Sequence, residues 1–510
     1  MEENHAGCVS DFAQTISGEN VKTRLFAALM TSAATAAVAL PAASIAATPT
    51  ESYTTVTSTV SSGPSDCNKM RVLKIGKSSA KNVLVLIPGF LGGSGDFRVI
   101  GRRLATSFKN LQVWGIDRRS QCLEDLYGFS NGNPTEALGY YYFGQTLNGH
   151  KFVPPAEGQP GVEAARTWGL KTTLEDIRSV VLAAKSGGRK VILGGHSLGG
   201  SLTSEYATWD FNGTPGYRDV AGLVLIDGAA RGTFGAAPDA TVVNSQISAL
   251  ATGLPFSQIL PGAPTYYTGV LPEMAALYSI KQPKSNSALQ GLLNNVGFGA
   301  FTRPIVGSTG KLTNDGGLGY AFDRDTSPAA FGLFHMNMGR LKEPATPSGS
   351  AGWTDGGITD IADLKVLFGI EPGNFVEWYF PKRLSIEVGA ATNLSKNALT
   401  DSLGLRPWHW SSVTTPLYAF ETGLTCTERP AITPGNAATV TALVNWVNTH
   451  KTTECGVLSG ARSFKTGSKI TKATFVSDHN QEHLDPLVAR AKDNKFQSTL
   501  VTFLKSLKVS

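Results

Sequence analysis

The sequence predicts an α/β protein with a mainly parallel sheet flanked by helices and interrupted by a large inserted cap. Three observations lead to this prediction. Apolar runs alternate with helical patterns in two separate stretches, a long stretch between them lacks this rhythm, and glycine-rich turns follow two of the runs. Because strands that alternate with helices are joined by right-handed crossovers, their sheet is mainly parallel. A chain of 510 residues, 41% of them hydrophobic, can bury a core of this size.

Each apolar run predicts a strand, and each pattern of apolar residues at helical spacing predicts a helix. The first run alternates apolar and polar residues, as an edge strand does, whereas the next runs are almost continuously apolar, as strands buried on both faces are. The predicted strands are 71–75, 82–89, 111–117, 191–195, 220–227, 415–421 and 472–476. The predicted helices are 97–108, 172–186, 198–208, 437–449 and 486–508.

These patterns divide the chain into four parts. They are a signal peptide region 1–47, a Ser/Thr-rich linker 48–69, a core built from 70–227 and 414–510, and a cap 228–413. An irregular leading strand is the alternative for residues 48–66. The cap is too long for a loop and is rich in aromatic residues. Since loops at the carboxyl ends of parallel strands build the binding pocket, an aromatic cap predicts a bulky, hydrophobic small-molecule substrate.

The N-terminal segment predicts export through a cleaved signal peptide. Lys22 and Arg24 precede a run of small and apolar residues, 25–40, and small residues near Ala46 and Ala47 offer a cleavage site. A membrane anchor is the alternative, but the run is rich in alanine and threonine and is followed by prolines. No later stretch has the length of apolar sequence that spans a bilayer. We therefore expect a secreted, extracellular protein with no stable membrane span.

Four cysteines follow the signal region, and an even number suits an oxidising compartment. We expect the disulfides Cys67–Cys122 and Cys426–Cys455, since each pair lies within one half of the chain. Free buried thiols are the alternative. None of the four lies in a C-x-x-C motif, so the cysteines indicate neither a zinc site nor a redox role.

Charge and motifs argue against several other partners. The net charge of +6 is modest, and no basic cluster is interleaved with aromatics, so we expect no nucleic acid binding. The phosphate-binding pattern G-x-x-x-x-G-K-[S/T] is absent. His335 and His409 have no second ligand at zinc spacing, so no metal is expected. The sequence leaves the oligomeric state open.

The stretch G-H-S-L-G, residues 195–199, lies between a predicted strand and a predicted helix. A sharp strand-to-helix turn forces its central residue into a strained conformation and needs small neighbours. Such a turn lifts the Ser197 hydroxyl out of the sheet and places the start of the next helix behind it. Ser197 is therefore the predicted nucleophile, and an incidental serine in a glycine-rich turn is the alternative.

A serine nucleophile needs a base and an acid, which follow it in the chain in this architecture. His483 lies on the loop before the last predicted helix and is the predicted base, with His479 as the alternative. Two carboxylates directly follow apolar runs, Glu421 and Asp227. We expect Glu421 to be the acid, because its strand is nearer in sequence to the histidine, and Asp227 is the alternative acid.

Two backbone N–H groups are expected to form an oxyanion hole. One is that of Leu198, the residue after the nucleophile, and the other is that of Phe90. Phe90 lies in the glycine-rich loop 88–94 that follows the first buried strand. Glycines there let the backbone approach a substrate closely.

These motifs resemble those of the α/β-hydrolase family: P-G-F-L-G-G as oxyanion loop, G-H-S-L-G-G as nucleophile turn and H-L-D-P-L around the base. The resemblance covers about residues 70–227 and 414–508 and is strongest to esterases and lipases. The sequence departs from the family in having Pro88-Gly89 where His-Gly is common, and in lacking a G-x-x-D acid before the histidine.

The resemblance and the residues together predict a secreted serine hydrolase. It would cleave a carboxylic ester or lactone of a bulky hydrophobic substrate through an acyl-enzyme, without a cofactor. A peptidase or amidase with the same triad is the alternative, since Glu273, Glu343 and Glu377 of the cap could hold an amino terminus.

Overall fold

An eight-stranded sheet forms the centre of the protein. The structure is a computed structural model that describes residues 48–258, 263–290, 310–327, 329–344, 346, 348–368, 375–433, 436–450 and 453–509. The strands of this sheet are β1 (Glu51–Thr57), β2 (Lys69–Ile75), β3 (Asn82–Ile87), β4 (Leu111–Ile116), β5 (Lys190–His196), β6 (Leu223–Ile226), β7 (Leu417–Glu421) and β8 (Ala473–Ser477).

The sheet has the strand order β1-β2-β4-β3-β5-β6-β7-β8. From β4 to β8 every neighbouring pair is parallel, whereas β1 and β2 pair antiparallel with their neighbours. Strands β3 and β4 are buried along their whole length, as their continuous apolar sequences predicted. The predicted α/β fold with a mainly parallel sheet is confirmed.

Helices cover both the crossovers and the insertion. Those before the insertion are α1 (Arg98–Ser107), α2 (Pro134–Tyr142), α3 (Pro160–Ala165), α4 (Leu170–Lys185) and α5 (Leu198–Thr208). Those within it are α6 (Ala240–Ala249), α7 (Tyr267–Lys281), α8 (Asn314–Phe322), α9 (Ile361–Phe368), α10 (Lys382–Ala391) and α11 (Ala398–Ser402). Those after it are α12 (Ala437–Thr449), α13 (Gly456–Thr466), α14 (Asp485–Val488) and α15 (Lys495–Ser506). Two-stranded hairpins pair 146–147 with 150–151, 210–211 with 214–215, and 339–342 with 352–355.

The segment predicted as a linker is partly a strand. Residues 51–57 pair with β2 in antiparallel register, and Tyr53 and Val56 pack against the core. The segment is rich in threonine, valine and tyrosine, which favour extended backbone in a sheet. Its Ser/Thr-rich composition, which indicated a linker or an irregular leading strand, is that of an edge strand with one solvent-exposed face.

The helix predicted at 486–508 is divided into α14 and α15. Asn494 lies at the break: its side-chain oxygen accepts from Gln497 N–H at 2.9 Å, and its amide group donates to Pro486 O at 3.0 Å. A side chain that caps the start of one helix and binds a carbonyl of the previous one ends the first helix there.

The insertion between β6 and β7 packs directly on the sheet. Buried cap residues such as Leu318, Met336, Leu364 and Phe380 belong to the same apolar cluster as the strands. Residues 48–510 accordingly form one unit. The predicted signal peptide lies outside the described residues. Among the described residues, no helix combines the length and apolar character needed to cross a bilayer.

Both predicted disulfides are present. Cys67–Cys122 joins the segment before β2 to the segment after β4, with the Cα atoms 5.0 Å apart. Cys426–Cys455 joins the loop after β7 to the start of α13, with the Cα atoms 4.9 Å apart. Each disulfide therefore fastens a loop at one end of the sheet.

We expect Gly199→Ala to lower the free energy of unfolding by about 1–3 kcal/mol, the usual cost of overpacking. A Cβ atom at Gly199 would lie 2.1 Å from the carbonyl oxygen of Ile87, which is backbone and cannot move aside. Denaturant unfolding measures the loss. The matched control is Gly389→Ala in α10, whose Cβ would be 3.8 Å from the nearest atom of Pro238. Equal stability of both variants would contradict the prediction.

Candidate active site

Ser197 lies at the sharp turn between β5 and α5. Its backbone has φ 54° and ψ −122°, a conformation that residues other than glycine rarely adopt. The Ser197 N–H donates to the carbonyl oxygen of Ile226 at 2.8 Å, which fastens the turn to the end of β6. Helix α5 begins directly after Ser197, so the positive end of its dipole lies beside the hydroxyl. The turn has the geometry that the glycine-flanked motif predicted.

His483 lies on the loop between β8 and α14 and is buried. Its Nδ1 is 2.5 Å from Oδ2 of Asp227. Since a carboxylate only accepts hydrogen bonds, Nδ1 carries the hydrogen and Nε2 of the neutral ring is an acceptor. His483 and Ser197 line one narrow cavity of about 20 Å³. The structure thus brings the predicted nucleophile and the predicted base to the same place.

Asp227, the alternative acid of the sequence prediction, is completely buried behind His483. Thr422 donates twice to it, from N–H to Oδ1 at 2.7 Å and from its hydroxyl to Oδ2 at 2.5 Å. Burial by itself would raise the pKa of Asp227, but its hydrogen bond and electrostatic interaction with His483, together with the Thr422 donors, outweigh burial and lower it. The carboxylate is therefore charged and held towards the imidazole.

Glu421, the preferred acid of the sequence prediction, does not reach His483. Its carboxylate accepts from the N–H groups of Cys455 at 2.7 Å and Leu458 at 2.9 Å, at the start of α13. Burial raises the pKa of Glu421 to about 7, although these N–H donors act in the opposite direction. The partner of His483 is therefore Asp227 and not Glu421, and Glu421 caps the start of α13.

His479, the alternative base, is likewise outside the cavity of Ser197. Its ring stacks on Trp446, with 5.2 Å between the centroids. Its Nε2 lies 3.7 Å from Sγ of Cys426, next to the disulfide with Cys455. Two cysteines and a histidine within reach of one another resemble a metal site, but both sulfurs are used by the disulfide.

His196, which no sequence pattern singled out, binds the backbone of the predicted base His483. Its Nε2–H donates to the carbonyl oxygen of His483 at 2.8 Å. Burial, and to a lesser extent the neighbouring ring of His483, lowers the pKa of His196 to about 3, so the His196 ring is neutral. The motif shows where His196 lies, next to Ser197, but no sequence pattern indicates its partner.

The loop after β3 faces Ser197 with its backbone. Leu91 has φ 58°, and a Cβ atom at Gly89 would lie 3.0 Å from that of Ser197. Among the described residues, neither the Phe90 N–H nor the Leu198 N–H donates to a protein oxygen. The Phe90 ring packs against Phe380 of the cap, with 4.7 Å between the centroids. Both N–H groups expected in the oxyanion hole thus lack a partner within the described chain.

Arg118, after β4, binds the backbone of this loop. No sequence pattern indicated this contact. Its guanidinium donates to the carbonyl oxygens of Pro88, Gly89 at 2.7 Å and Gly92 at 3.2 Å. It also pairs with the buried carboxylate of Glu377 at 2.6 Å. Arg118 therefore fixes three carbonyl groups of the loop that carries Phe90.

The comparisons with known proteins agree with this architecture. The family model described as "Alpha/beta hydrolase family" matches residues 84–331, which include the loop after β3 and the turn at Ser197. The match and the fold together support a member of the alpha/beta hydrolase family. Comparison with curated proteins gives no match.

Solved structures similar to this alpha/beta hydrolase share little sequence with it. A candidate lipase from Sulfolobus solfataricus is 13% identical, with a TM-score of 0.42 and coverage of 89% of this chain and 94% of that one. A soluble variant of monoglyceride lipase from Saccharomyces cerevisiae is 12% identical, with a TM-score of 0.37 and coverage of 92% and 97%. An epoxide hydrolase from an endophytic Streptomyces is 14% identical, with a TM-score of 0.38 and coverage of 90% and 97%. These likenesses do not distinguish between substrates.

In this alpha/beta hydrolase the residues on either side of His483 bind the cap. Asp485 accepts from the Thr359 hydroxyl at 2.6 Å and from Asn337 N–H at 3.0 Å. Glu482 pairs with Arg324 of the cap at 3.2 Å and with Arg429 at 2.6 Å. Burial would raise the pKa of Glu482, but the two arginines outweigh burial and lower it to about 2. The loop that carries His483 is therefore held by ion pairs of Glu482, whose carboxylate stays charged.

We expect Glu482→Gln to lower the free energy of unfolding at pH 7 by about 3 kcal/mol, since it leaves two arginines without their buried partner. The pKa of Glu482 in the folded protein, about 2, is below its ordinary value of 4.5. The stabilisation is therefore present above pH 5 and is lost as the pH falls towards 2. Denaturant unfolding at a series of pH values should show the two proteins converging in acid.

The control for this prediction is Glu454→Gln. Glu454 forms an exposed ion pair with Arg462, and exposed pairs contribute little to stability. A difference between wild type and Glu482→Gln that stayed constant between pH 7 and pH 3 would show that charge is not the cause.

Proposed function

We propose that this alpha/beta hydrolase is a secreted serine hydrolase that cleaves carboxylic esters, lactones included, of bulky hydrophobic substrates. One observation carries the proposal. Ser197, on a strained turn, shares a cavity with His483, whose Nδ1 is hydrogen-bonded to the buried carboxylate of Asp227. A nucleophile, a base with its free nitrogen as acceptor and an orienting acid are the groups that acyl transfer needs.

The reaction proceeds through an acyl-enzyme. Nε2 of His483 takes the proton of the Ser197 hydroxyl as its oxygen attacks the carbonyl carbon of the ester. The tetrahedral intermediate then expels the alcohol, whose oxygen receives that proton from Nε2. Water, deprotonated by Nε2, attacks the acyl carbon and releases the acid, and the proton returns to Ser197. The charge of Asp227 stabilises the imidazolium that forms in each half of the reaction.

The negative charge on the carbonyl oxygen is stabilised by the backbone. Phe90 N–H and Leu198 N–H lie on the two segments that adjoin Ser197 and have no partner within the described residues. Donors that are already in position need no rearrangement when the charge develops, and each is worth about 10²- to 10³-fold in rate. Arg118 serves here as a positioning residue, because it binds the carbonyls of the loop that carries Phe90.

A serine nucleophile favours esters over epoxides. If Ser197 opened an epoxide, it would form an ether, which has no carbonyl carbon for water to attack. The enzyme would then remain alkylated after one turnover. An acyl group on Ser197, in contrast, is an ester that the same base can hydrolyse.

The contacts of the cap also favour esters over peptides. Of the carboxylates that could hold an amino terminus, Glu377 pairs with Arg118, and Glu343 is exposed on the surface. Glu273 is buried, and burial raises its pKa well above the usual range. None of the three lines either of the two cavities that include Ser197 in the described part of the chain.

The two disulfides support the secreted location in this proposal. Both fasten loops of the folded domain. Disulfides persist in oxidising compartments outside the cytosol, in agreement with the signal peptide predicted for residues 1–47.

We expect Ser197→Ala to lower ester hydrolysis by about 10³-fold or more and to abolish labelling by a fluorophosphonate probe. Asp227→Asn should lower kcat by about 10³- to 10⁴-fold, because the amide no longer selects the tautomer with Nε2 as acceptor. Hydrolysis of p-nitrophenyl esters measures both effects.

Glu421→Gln is the matched control, because Glu421 caps α13 and does not reach His483. We expect its kcat to stay within about threefold of wild type. A large loss in Glu421→Gln with little change in Asp227→Asn would contradict the proposed triad.

Arg118→Lys should lower kcat by about 10- to 100-fold and leave KM nearly unchanged. A lysine cannot replace the fork of donors that reaches three carbonyls and Glu377, so Phe90 N–H would lose its fixed direction. The control is Arg119→Lys, since Arg119 pairs with buried Asp176 and not with the loop. It should lower stability without lowering kcat. Equal kcat losses in both variants would mean that stability alone is affected.

A further inference from the structure

We propose that this enzyme hydrolyses esters whose acid part is bulky and uncharged and whose alcohol part is small. The inference rests on the proposed function and adds the shape of the substrate. Two cavities of different size include Ser197, and His483 lines only one of them. The position of the histidine decides which part of the ester each cavity receives.

The chemistry of the triad orients the ester. The leaving oxygen takes its proton from Nε2 of His483, so it must lie within hydrogen-bond distance of that atom. The carbonyl oxygen is turned towards Phe90 N–H and Leu198 N–H. The acyl chain is the remaining substituent of the carbonyl carbon, and it points away from His483. The alcohol therefore enters the cavity that His483 lines, and the acyl chain enters the other.

The cavity on the histidine side is the smaller one, at about 20 Å³. Beside His483 it is lined by Leu484, Phe334 and Phe375, which leave room for a short apolar group. One carboxyl group, that of the buried Asp96, also lines it. Burial raises the pKa of Asp96 well above the usual range. This side therefore fits a small alcohol without a negative charge.

The cavity on the other side is an open cleft of about 300 Å³. It passes Leu198 and Ala229 and continues along α10, which contributes Val388 and Gly389, to Thr392 directly after the helix. No ionisable side chain of the described residues lines this cleft. Its surface is apolar with a few hydroxyl groups, so it fits a large uncharged acyl group.

Gly389 keeps this cleft open. It lies in the helical interior of α10, where glycine is less favourable than most residues. A Cβ atom there would be 3.8 Å from Pro238, which is ordinary contact, so a larger side chain fits the backbone and projects into unoccupied space. We therefore identify Gly389 as the residue that determines acyl size.

The test uses two isomeric esters, ethyl octanoate and octyl acetate, which contain the same atoms with the chain on opposite sides of the ester group. We expect kcat/KM of the full-length enzyme to be at least tenfold higher for ethyl octanoate. Because the isomers have nearly equal hydrophobicity, the ratio reports the two cavities and not general apolar binding. Titration of the released acid measures both rates.

Two variants should change this ratio in ways that size predicts. Gly389→Leu fills the cleft and should reduce the ratio at least fivefold by lowering kcat/KM for ethyl octanoate. Phe334→Ala enlarges the cavity beside His483 and should reduce the ratio by raising kcat/KM for octyl acetate. Ala442→Leu, on an exposed position of α12 outside both cavities, adds similar bulk and should leave the ratio unchanged.

A wild-type preference for octyl acetate would overturn the proposal, and so would Gly389→Leu with an unchanged ratio. Labelling of Ser197 by a fluorophosphonate without hydrolysis of either isomer would also overturn it. If neither isomer is hydrolysed and Ser197 is not labelled, the proposed function itself is contradicted.

Discussion

The candidate active site depends on backbone segments that lie so close together that only glycine, which has no Cβ atom, fits at the contact points. A Cβ atom at Gly199 would lie 2.1 Å from the carbonyl oxygen of Ile87, and one at Gly228 would lie 1.9 Å from that of Ser197. These contacts press together the ends of β3, β5 and β6. Because Phe90 follows β3, Ser197 follows β5 and Asp227 follows β6, one packing constraint brings together the proposed oxyanion loop, nucleophile and acid.

The cap completes the site as well as covering it. Glu377 pairs with Arg118 behind the oxyanion loop, while Arg324 and Thr359 bind the residues on either side of His483. These groups are largely buried, and a buried charge without its partner is costly. Displacing the cap would therefore leave buried charges without partners beside two loops, the one after β3 and the one that carries His483. The position of the cap therefore affects the distance between the proposed base, His483, and the proposed oxyanion donors.

The choice between two carboxylates shows where reasoning from sequence reaches its limit. Asp227 and Glu421 follow β6 and β7, which are neighbours with Ile226 paired to Phe420, so both lie at the same edge of the sheet. Nearness in sequence to the histidine favoured Glu421, but chain separation has no bearing on which parallel strand end lies beside the loop after β8. The shorter Asp227, with φ 47°, turns to His483, while the longer Glu421 reaches the N–H groups of α13.

Local patterns of the sequence were sufficient for the α/β sheet, both disulfides, the turn at Ser197 and the placement of His483 beside it. They depend on short-range rules: continuous apolar runs for buried strands, glycines for a turn without room for Cβ, and a histidine before the last helix. The contacts of Arg118, His196 and Thr422 and the place of Gly389 in the cleft, on which their proposed roles rest, could be read only from the tertiary structure. Each acts through atoms far along the chain, and three of them bind a loop or a side chain whose direction no local pattern encodes. Which carboxylate meets the histidine, and how large a group fits on each side of the serine, are likewise properties of packing between distant segments.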